Sequence, residues 1–344
     1  MTAGCTRRAL LLSSGALAAA MATATGRRSA MAASQTVATR PAIRAGVLKF
    51  GTVSWELDTV RANRFDEEAG IALQLTELAG NQATQVALQA GAVDVIVSDW
   101  LWVSRMRSQG EALSFIPYST ALGALVVPAG SGISGIADLR GRRIGVAGSP
   151  LDKSWLLLRA LSADRYGLAL DRDAVPVFAA PPLLNGKLID GELDAVLTYW
   201  PFAARLEAQG QRVLMTVSGM LEALGQAASV PSVGYVFKEQ WARANPAALA
   251  GFQAAVAQAR TLLAGTGAAS DAAWNRLAPI MKAEDDATFR TLRDRFRDGI
   301  PRRWGEAERE GAAKLYSLLA SLGGRELVGD GRTLAPGTFW TGAE

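Results

Sequence analysis

The 344-residue sequence contains no histidine and a single cysteine, Cys5. The lack of histidine excludes every mechanism that uses an imidazole as a base or as a metal ligand, and with it most zinc sites. One cysteine forms neither an intramolecular disulfide nor a cysteine metal site. Hydrophobic residues make up 49% of the chain and charged residues 20%, so the composition is that of an ordinary globular protein.

Residues 1–32 have the character of an export signal. Arg7 and Arg8 form a basic start, small apolar residues follow over 9–24, and residues 30–32 (AMA) offer a cleavage site. The apolar run is too short for a membrane-spanning helix. The arginine pair fits a general secretory signal and a twin-arginine signal alike. By either route, we predict cleavage of the signal and a periplasmic protein.

The basic excess of the sequence lies within this predicted signal. The whole chain has 36 basic and 32 acidic residues, a net charge of +4. Removing the four arginines of residues 1–32, which contain no acidic residue, leaves 32 basic and 32 acidic residues. A neutral mature chain gives no support to nucleic-acid or membrane-surface binding.

The rest of the chain alternates predicted strands and helices. Apolar runs and period-two patterns predict the strands, and glycine or proline punctuates their ends. The predicted strands span residues 43–50, 71–78, 93–97, 124–128, 144–147, 175–178, 193–198 and 232–237. This alternation is typical of α/β folds, in which helices cover both faces of a largely parallel sheet.

One ten-residue segment recurs at an offset of one hundred residues. The sequence GAVDVIVSDW at 91–100 is echoed by GELDAVLTYW at 191–200. Glycine, aspartate and tryptophan coincide, the apolar positions coincide, and Ser98 is matched by Thr198. A helical segment precedes the glycine in both copies. The repeat indicates two lobes of related topology.

We therefore predict two doubly wound α/β lobes joined by two hinge crossings, near residues 117–120 and 230–234. Two crossings make a hinge about which a cleft closes on a ligand. The predicted boundaries are 42–118 plus 236–330 for lobe 1, 119–235 for lobe 2, and 331–344 for a tail.

Several segments carry a family resemblance. They are KFGT at 49–52, LQAGAVD at 88–94, IADLRGRRIGV at 136–146, GELDA at 191–195 and WP at 200–201. Over about residues 43–265 the chain resembles the substrate-binding proteins of ABC importers for nitrate, taurine and aliphatic sulfonates. That family also includes binders of thiamine-pyrimidine precursors.

The resemblance implies a periplasmic-binding-protein fold of type II character, with the ligand in the cleft between the lobes. It implies docking onto an ABC permease in the inner membrane. We expect a small-molecule ligand, a monomer, no nucleic-acid partner, no cofactor and no resident metal.

Ligands of open α/β sheets sit beyond the carboxyl ends of the strands, so the loops there supply the candidate contacts. In lobe 1 the candidates are Thr52, Ser54, Trp55, Glu56, Asn81, Gln82, Ser98, Asp99 and Trp100. In lobe 2 they are Gly148, Ser149, Asp152, Trp155, Thr198, Tyr199 and Trp200.

Some of these candidates have an equally good structural explanation. Gly148 suits a tight turn and Asp152 suits a helix N-cap. Trp55 and Trp155 fit core packing as well as ligand contact. Trp100 and Trp200 occupy equivalent repeat positions, which favours contact from both lobes. Outside the candidate set, Asp94 and Asp194 fit turn capping better than ligand binding.

The charges of the loops bear on the ligand. Glu56, Asp99 and Asp152 bring carboxylates to the predicted cleft, where they would repel a small oxyanion. The combination of acidic and aromatic residues fits a planar or cationic ligand, such as a heterocyclic amine, at least as well as taurine. A small oxyanion is still an alternative ligand, because it could be bound by Lys153, Ser149 and Ser154. A metal chelate is a third alternative.

We expect a solute-binding protein and not an enzyme. Relatives that use this fold for thiamine-precursor synthesis draw on histidine and cysteine, which the predicted mature chain lacks. Carboxylate acid–base chemistry by Glu56 and Asp99 is the remaining enzymatic route. The other alternative is an accessory or sensor protein that binds its ligand without a transporter.

Overall fold

In the computed structural model, residues 40–49 and 51–342 are described, and they form two five-stranded sheets covered by helices. The predicted signal, with Cys5, lies outside these residues, as does Phe50 at the end of the first predicted strand. The strands are β1 (Ala42–Leu48), β2 (Ala72–Leu78), β3 (Val95–Asp99), β4 (Leu113–Ser119), β5 (Gly123–Val127), β6 (Arg143–Ala147), β7 (Val175–Ala179), β8 (Ala195–Tyr199), β9 (Arg212–Thr216) and β10 (Val233–Lys238).

Fourteen helices are described over these residues, together with a short 3₁₀ turn at Ile136–Leu139. The helices are α1 (Val53–Ala62), α2 (Phe65–Glu68), α3 (Asn81–Gln89), α4 (Trp100–Ser108), α5 (Lys153–Tyr166), α6 (Leu170–Asp173), α7 (Pro181–Ile189), α8 (Trp200–Ala208), α9 (Val217–Ala223), α10 (Glu239–Ala244), α11 (Pro246–Ala264), α12 (Ala268–Met281), α13 (Asp286–Asp298) and α14 (Glu306–Val328). None of them combines the length and the apolar character that a membrane span requires.

The two sheets have the same topology. The first has the order β2-β1-β3-β10-β4 and the second the order β7-β6-β8-β5-β9. In each, the first three strands are parallel and the fourth is antiparallel to both of its neighbours. The predicted α/β fold with two related lobes is confirmed.

The antiparallel strands follow the passages of the chain between the sheets. The chain leaves the first sheet after Ser119 and enters the second at Gly123. It leaves the second sheet after Thr216 and returns at Val233 through α9. The lobe boundaries given above stay a prediction.

Local sequence signals start the helices beside the carboxyl ends of the strands. The Asp99 carboxylate caps α4 by accepting a hydrogen bond from the Trp102 amide at 2.9 Å. The Asp152 carboxylate caps α5 in the same way through the Ser154 amide, also at 2.9 Å. A proline in the first turn, Pro201, begins α8. Short polar and proline caps of this kind fix where each helix begins.

The C-terminal region ties the two halves together. Helix α14 contacts α4 beside the first sheet and α5 beside the second. Trp100, Trp155 and Tyr316 accordingly belong to one continuous buried cluster. The apolar core therefore extends across both sheets through α14.

The segment after α14 covers the exposed edge of β4. The Phe115 amide donates to the Thr338 carbonyl at 2.9 Å, and the Trp340 amide donates to the Phe115 carbonyl at 3.0 Å. The Phe339 ring packs edge-on against Phe115, with ring centroids 5.8 Å apart. Pairing and covering of this kind protect an edge strand from association with other chains.

Candidate functional site

A cavity of about 370 Å³ lies between the two sheets, at the carboxyl ends of their parallel strands. That volume falls within the usual size of small-molecule sites, about 300–1,000 Å³. Both sheets contribute to its wall: Leu48 ends β1 and Asp99 ends β3, whereas Tyr199 ends β8 and Asp152 follows β6. The cavity therefore occupies the position that ligands take in open α/β sheets.

Half of the predicted contact residues line this cavity. They are Thr52, Asn81, Ser98, Asp99, Trp100, Asp152, Tyr199 and Trp200. The other predicted residues do not line it: Ser54, Trp55, Glu56, Gln82, Gly148, Ser149, Trp155 and Thr198. The assignment of ligand contacts stays a prediction, now focused on the first group.

Some cavity residues lie outside the predicted set. Gln85 lies one helical turn after Asn81, so helical spacing was a usable signal for it. Tyr118 and Ser232 lie inside the two predicted crossings. Leu315 and Leu319 come from α14, more than eighty residues along the chain from any other residue of the cavity wall. No sequence signal connects α14 with the cleft.

A charged group spans the cleft. Lys153, at the start of α5, places its Nζ 3.2 Å from the Asp99 Oδ2 at the end of β3. Burial acts to lower the pKa of Lys153, but the charges of Asp99 and Asp152 outweigh it, and the pKa is raised. The ammonium therefore stays protonated, and it links the two halves across the cavity.

Asp152 and Tyr199 form the second polar group of the cavity. Burial raises the pKa of Asp152, although the charge of Lys153 and the backbone hydrogen bonds of α5 act against the rise. The Tyr199 hydroxyl donates to Asp152 Oδ2 at 3.4 Å. Burial and the Asp152 charge raise the pKa of Tyr199, so that its phenol stays neutral.

Gly148 supports this polar group from outside the cavity wall. Its φ of +95° lies in the region that favours glycine, and a Cβ there would lie 2.9 Å from the Tyr199 hydroxyl. The structure thus places Gly148 as the turn that lets Tyr199 approach Asp152. Ser149, beside it, is exposed, and its hydroxyl accepts a hydrogen bond from the Leu151 amide at 3.2 Å.

The two repeat tryptophans have different surroundings. Trp200 is half-buried and packs edge-on against Trp55, with centroids 5.8 Å apart, and against Phe296 at 6.3 Å. Trp100 is fully buried, and its Nε1 donates to the Pro231 carbonyl at 3.0 Å. Trp200 therefore gives the cavity an aromatic wall, whereas Trp100 has the packing of a core residue.

The remaining predicted residues serve the surrounding fold. The Ser54 hydroxyl donates to the Gly51 carbonyl at 2.6 Å, Gln82 is exposed at the start of α3, and Trp155 is buried against Phe178. Thr198 is buried within β8.

Glu56 lies inside the first half of the molecule and not at the cavity. It is buried, accepts a hydrogen bond from the Tyr235 hydroxyl at 2.6 Å and pairs with Arg260 Nε at 2.9 Å. The carboxylates that line the cavity are consequently Asp99 and Asp152. Among residues 40–49 and 51–342, no three acidic side chains gather closely enough to hold a metal ion.

Two α/β halves around a shared cleft define the fold of the periplasmic binding proteins. The chain belongs to the NMT1/THI5-like family, whose model matches residues 63–265. No curated protein sequence matches the chain significantly.

Solved structures share this fold at low sequence identity. The alkanesulfonate-binding protein SsuA from Xanthomonas axonopodis pv. citri, bound to MOPS, is 20% identical with a TM-score of 0.65, over 88% of this chain and 99% of its own. The periplasmic aliphatic sulphonate binding protein SsuA from Escherichia coli is 18% identical with a TM-score of 0.69, over 88% and 93%.

An enzyme has the same fold. The desulfurization enzyme DSZB is 17% identical with a TM-score of 0.57, over 82% of this chain and 92% of its own. The fold therefore supports both binding and catalysis, and the choice between them rests on the site.

Proposed function

We propose that this protein captures a small molecule in the cleft between its two halves and delivers it to an ABC importer. The observation that carries the proposal is the cavity of about 370 Å³ whose wall comes from both sheets. A ligand that contacts both halves stabilises the closed arrangement of the protein. The importer can then distinguish the closed, loaded protein from the empty one by its shape. Family membership and the shared fold of two sulfonate-binding proteins add support.

The proposed ligand is a cationic or heterocyclic amine. Asp99, Asp152 and Lys153 carry a net charge of −1 when all three are ionised, so an added cation neutralises the group. Tyr199 and Trp200 supply aromatic surface beside it. A sulfonate at the same place would meet two carboxylates against one ammonium, which costs free energy in a partly buried site.

Binding without catalysis agrees with the chemistry of the cavity. Among the described residues, its lining includes carboxylates, an ammonium, hydroxyls and amides, but neither a thiol nor an imidazole. Lys153 is already paired with Asp99, and its raised pKa disfavours a nucleophilic neutral amine.

The first experiment is thermal unfolding of the purified protein with benzylamine, tetramethylammonium, taurine or nitrate. A ligand at one hundred times its Kd stabilises by about 2.7 kcal/mol, which raises Tm measurably. We expect an amine to raise Tm. The Asp99→Asn variant should lose most of that rise, because asparagine keeps the N-cap of α4 but removes the charge.

The matched control is Asp285→Asn, the same change at the N-cap of α13, where Asp285 accepts from the Thr288 amide and does not line the cavity. It should leave the amine response intact. If taurine or nitrate raises Tm and the amines do not, the ligand class is wrong while the carrier role stands. Uptake of the bound amine by cells with and without the gene separates transport from an accessory binding role.

A further inference from the structure

The cavity has a second polar feature, in the first half of the molecule, away from the carboxylates. Tyr118, near the end of β4, lines the cavity and is only 5% exposed. Its hydroxyl is buried and has no hydrogen-bond partner among residues 40–49 and 51–342. The Thr52 hydroxyl lies near it, but the two make no hydrogen bond of normal geometry. A buried unpaired hydroxyl is costly, so its place in a cavity wall points to a ligand.

The ring of Tyr118 is held in place by a buried network. The Arg260 guanidinium lies beside two tyrosine rings that contact each other, 5.8 Å from the Tyr118 centroid and 5.7 Å from the Tyr235 centroid. Glu56 anchors that guanidinium through Arg260 Nε at 2.9 Å and accepts from the Tyr235 hydroxyl at 2.6 Å. Phe296 packs edge-on against Tyr118, with centroids 6.4 Å apart. The position of the phenol is therefore set before any ligand binds.

The same network determines whether the Tyr118 hydroxyl can donate or accept a hydrogen bond at the cavity. Both oxygens of Glu56 are engaged, one by Tyr235 and one by Arg260. Within the described part of the chain, the groups of this network without a partner are the Tyr118 hydroxyl and the Arg260 Nη2, and the latter only donates. Burial and the Glu56 charge raise the pKa of Tyr118, so the phenol keeps its proton. Of the two, Tyr118 lines the cavity, so its hydroxyl offers a donor to the cleft where Asp99 and Asp152 offer acceptors.

We infer that Tyr118 is a specificity-determining ligand contact that donates a hydrogen bond to an acceptor atom of the ligand, a ring nitrogen or a carbonyl oxygen. The inference rests on the proposed function and narrows its substrate class. The ligand is then an amine that also carries an acceptor, with the amine near the carboxylates and the acceptor near Tyr118. Glu56, Arg260 and Tyr235 are positioning residues behind it.

The test in the absence of any ligand compares Tyr118→Phe with Tyr235→Phe by thermal unfolding. Each variant loses one phenolic hydroxyl from the same network. Tyr235→Phe removes the 2.6 Å bond to Glu56 and should lower Tm by a few degrees. Tyr118→Phe removes a hydroxyl that has no partner among the residues that the structure describes, and it should leave Tm unchanged or raise it. An equal fall in both variants would show that the Tyr118 hydroxyl is structural, which overturns the inference whatever the ligand is.

The test with ligand compares 4-(aminomethyl)pyridine with benzylamine, which differ by one ring nitrogen. Calorimetric titration should give the pyridine about a tenfold lower Kd in the natural protein, the value of one added hydrogen bond. In Tyr118→Phe the two Kd values should become equal through weaker pyridine binding alone. Equal affinities in the natural protein would overturn the Tyr118 assignment and leave the amine site standing. Failure of both amines to bind would instead contradict the proposed ligand class. The comparison of Tm values without ligand would then still decide whether the Tyr118 hydroxyl is structural.

Discussion

The two copies of the ten-residue repeat fold alike at their beginnings and differently at their ends. In the first copy, Asp94 Oδ2 accepts from the Arg44 amide at 2.8 Å and from its Nε at 3.0 Å. In the second, Asp194 Oδ2 accepts from the Arg143 amide at 2.8 Å and from its Nε at 3.1 Å. Each aspartate amide also donates back to the same arginine's carbonyl. These aspartates therefore fasten β3 to β1 in the first sheet and β8 to β6 in the second.

The resemblance extends to the crossing strands. Gly123 in β5 pairs with Tyr199, and Gly234 in β10 pairs with Ser98, so both glycines face the repeats. A Cβ at Gly123 would lie 2.1 Å from the Thr198 carbonyl oxygen, and one at Gly234 would lie 2.2 Å from the Ile116 carbonyl oxygen. Both crossings thus require a glycine where they join a sheet.

The difference appears at the two tryptophans. The first copy places Trp100 in the continuous core, where α14 covers it, and Tyr316 of α14 packs 6.4 Å from it. The second copy leaves Trp200 half-buried against the rings of Trp55 and Phe296. The two copies therefore share the hydrogen bonds that join them to the sheet. The surroundings of the last residue differ, because different elements pack against it.

The largest expected difference between the copies comes from replacing each tryptophan with alanine. Trp100→Ala removes a fully buried ring and should cost about 3–5 kcal/mol of unfolding free energy. Trp200→Ala should cost less, because part of its ring faces the cavity, and should mainly weaken amine binding. Urea unfolding with calorimetric titration measures both effects. Equal stability losses would contradict the distinction between a core ring and a cavity ring.

The crossing glycines give the next largest effect. Gly123→Ala and Gly234→Ala each place a methyl group against a backbone carbonyl and should cost about 1–3 kcal/mol. The control is Gly186→Ala within α7, where a Cβ meets nothing within 4 Å. That change should stabilise the protein by about 0.5–1 kcal/mol through helix propensity. Urea unfolding midpoints measure the stability of all three variants. An unchanged midpoint for either crossing variant would contradict the equivalence of the two crossings.

The smallest effect concerns the two aspartates. Asp94 is 7% exposed and Asp194 is 25% exposed, so Asp94→Asn should cost about 1–3 kcal/mol and Asp194→Asn about 1 kcal/mol. Urea unfolding at pH 7 measures the pair. A larger loss in the Asp194 variant would contradict the ranking by burial.

Asp194 also adds a dependence on pH. Burial acts to raise the pKa of Asp194, but the hydrogen bonds and charge of Arg143 outweigh it, and the pKa is lowered. The folded pKa thus lies below the unfolded value of about 3.9, so the stabilisation is present above pH 4 and is lost as the pH falls through the folded pKa. The natural protein should lose more stability than Asp194→Asn between pH 7 and pH 2. Parallel losses would contradict this contribution.

The sequence patterns located the strands that carry the site and missed two others. Eight predicted strands coincide with β1, β2, β3, β5, β6, β7, β8 and β10 within a few residues. The two missed strands, β4 and β9, occupy equivalent ends of the two sheets. β4 contains Pro117, which weakens a strand prediction. The structure covers the open side of β4 with the C-terminal segment.

The sequence by itself determined the α/β class, the two related halves and the loops that form the cavity, because periodicity, punctuation and an internal repeat are local properties of the chain. Only the tertiary structure decided which side chains face the cavity. Glu56 pairs inside the first half with Arg260, which is 204 residues away in the sequence. Tyr118 lines the cavity with a hydroxyl that no described residue pairs. These outcomes depend on pairing, burial and packing between distant segments, which no local pattern encodes.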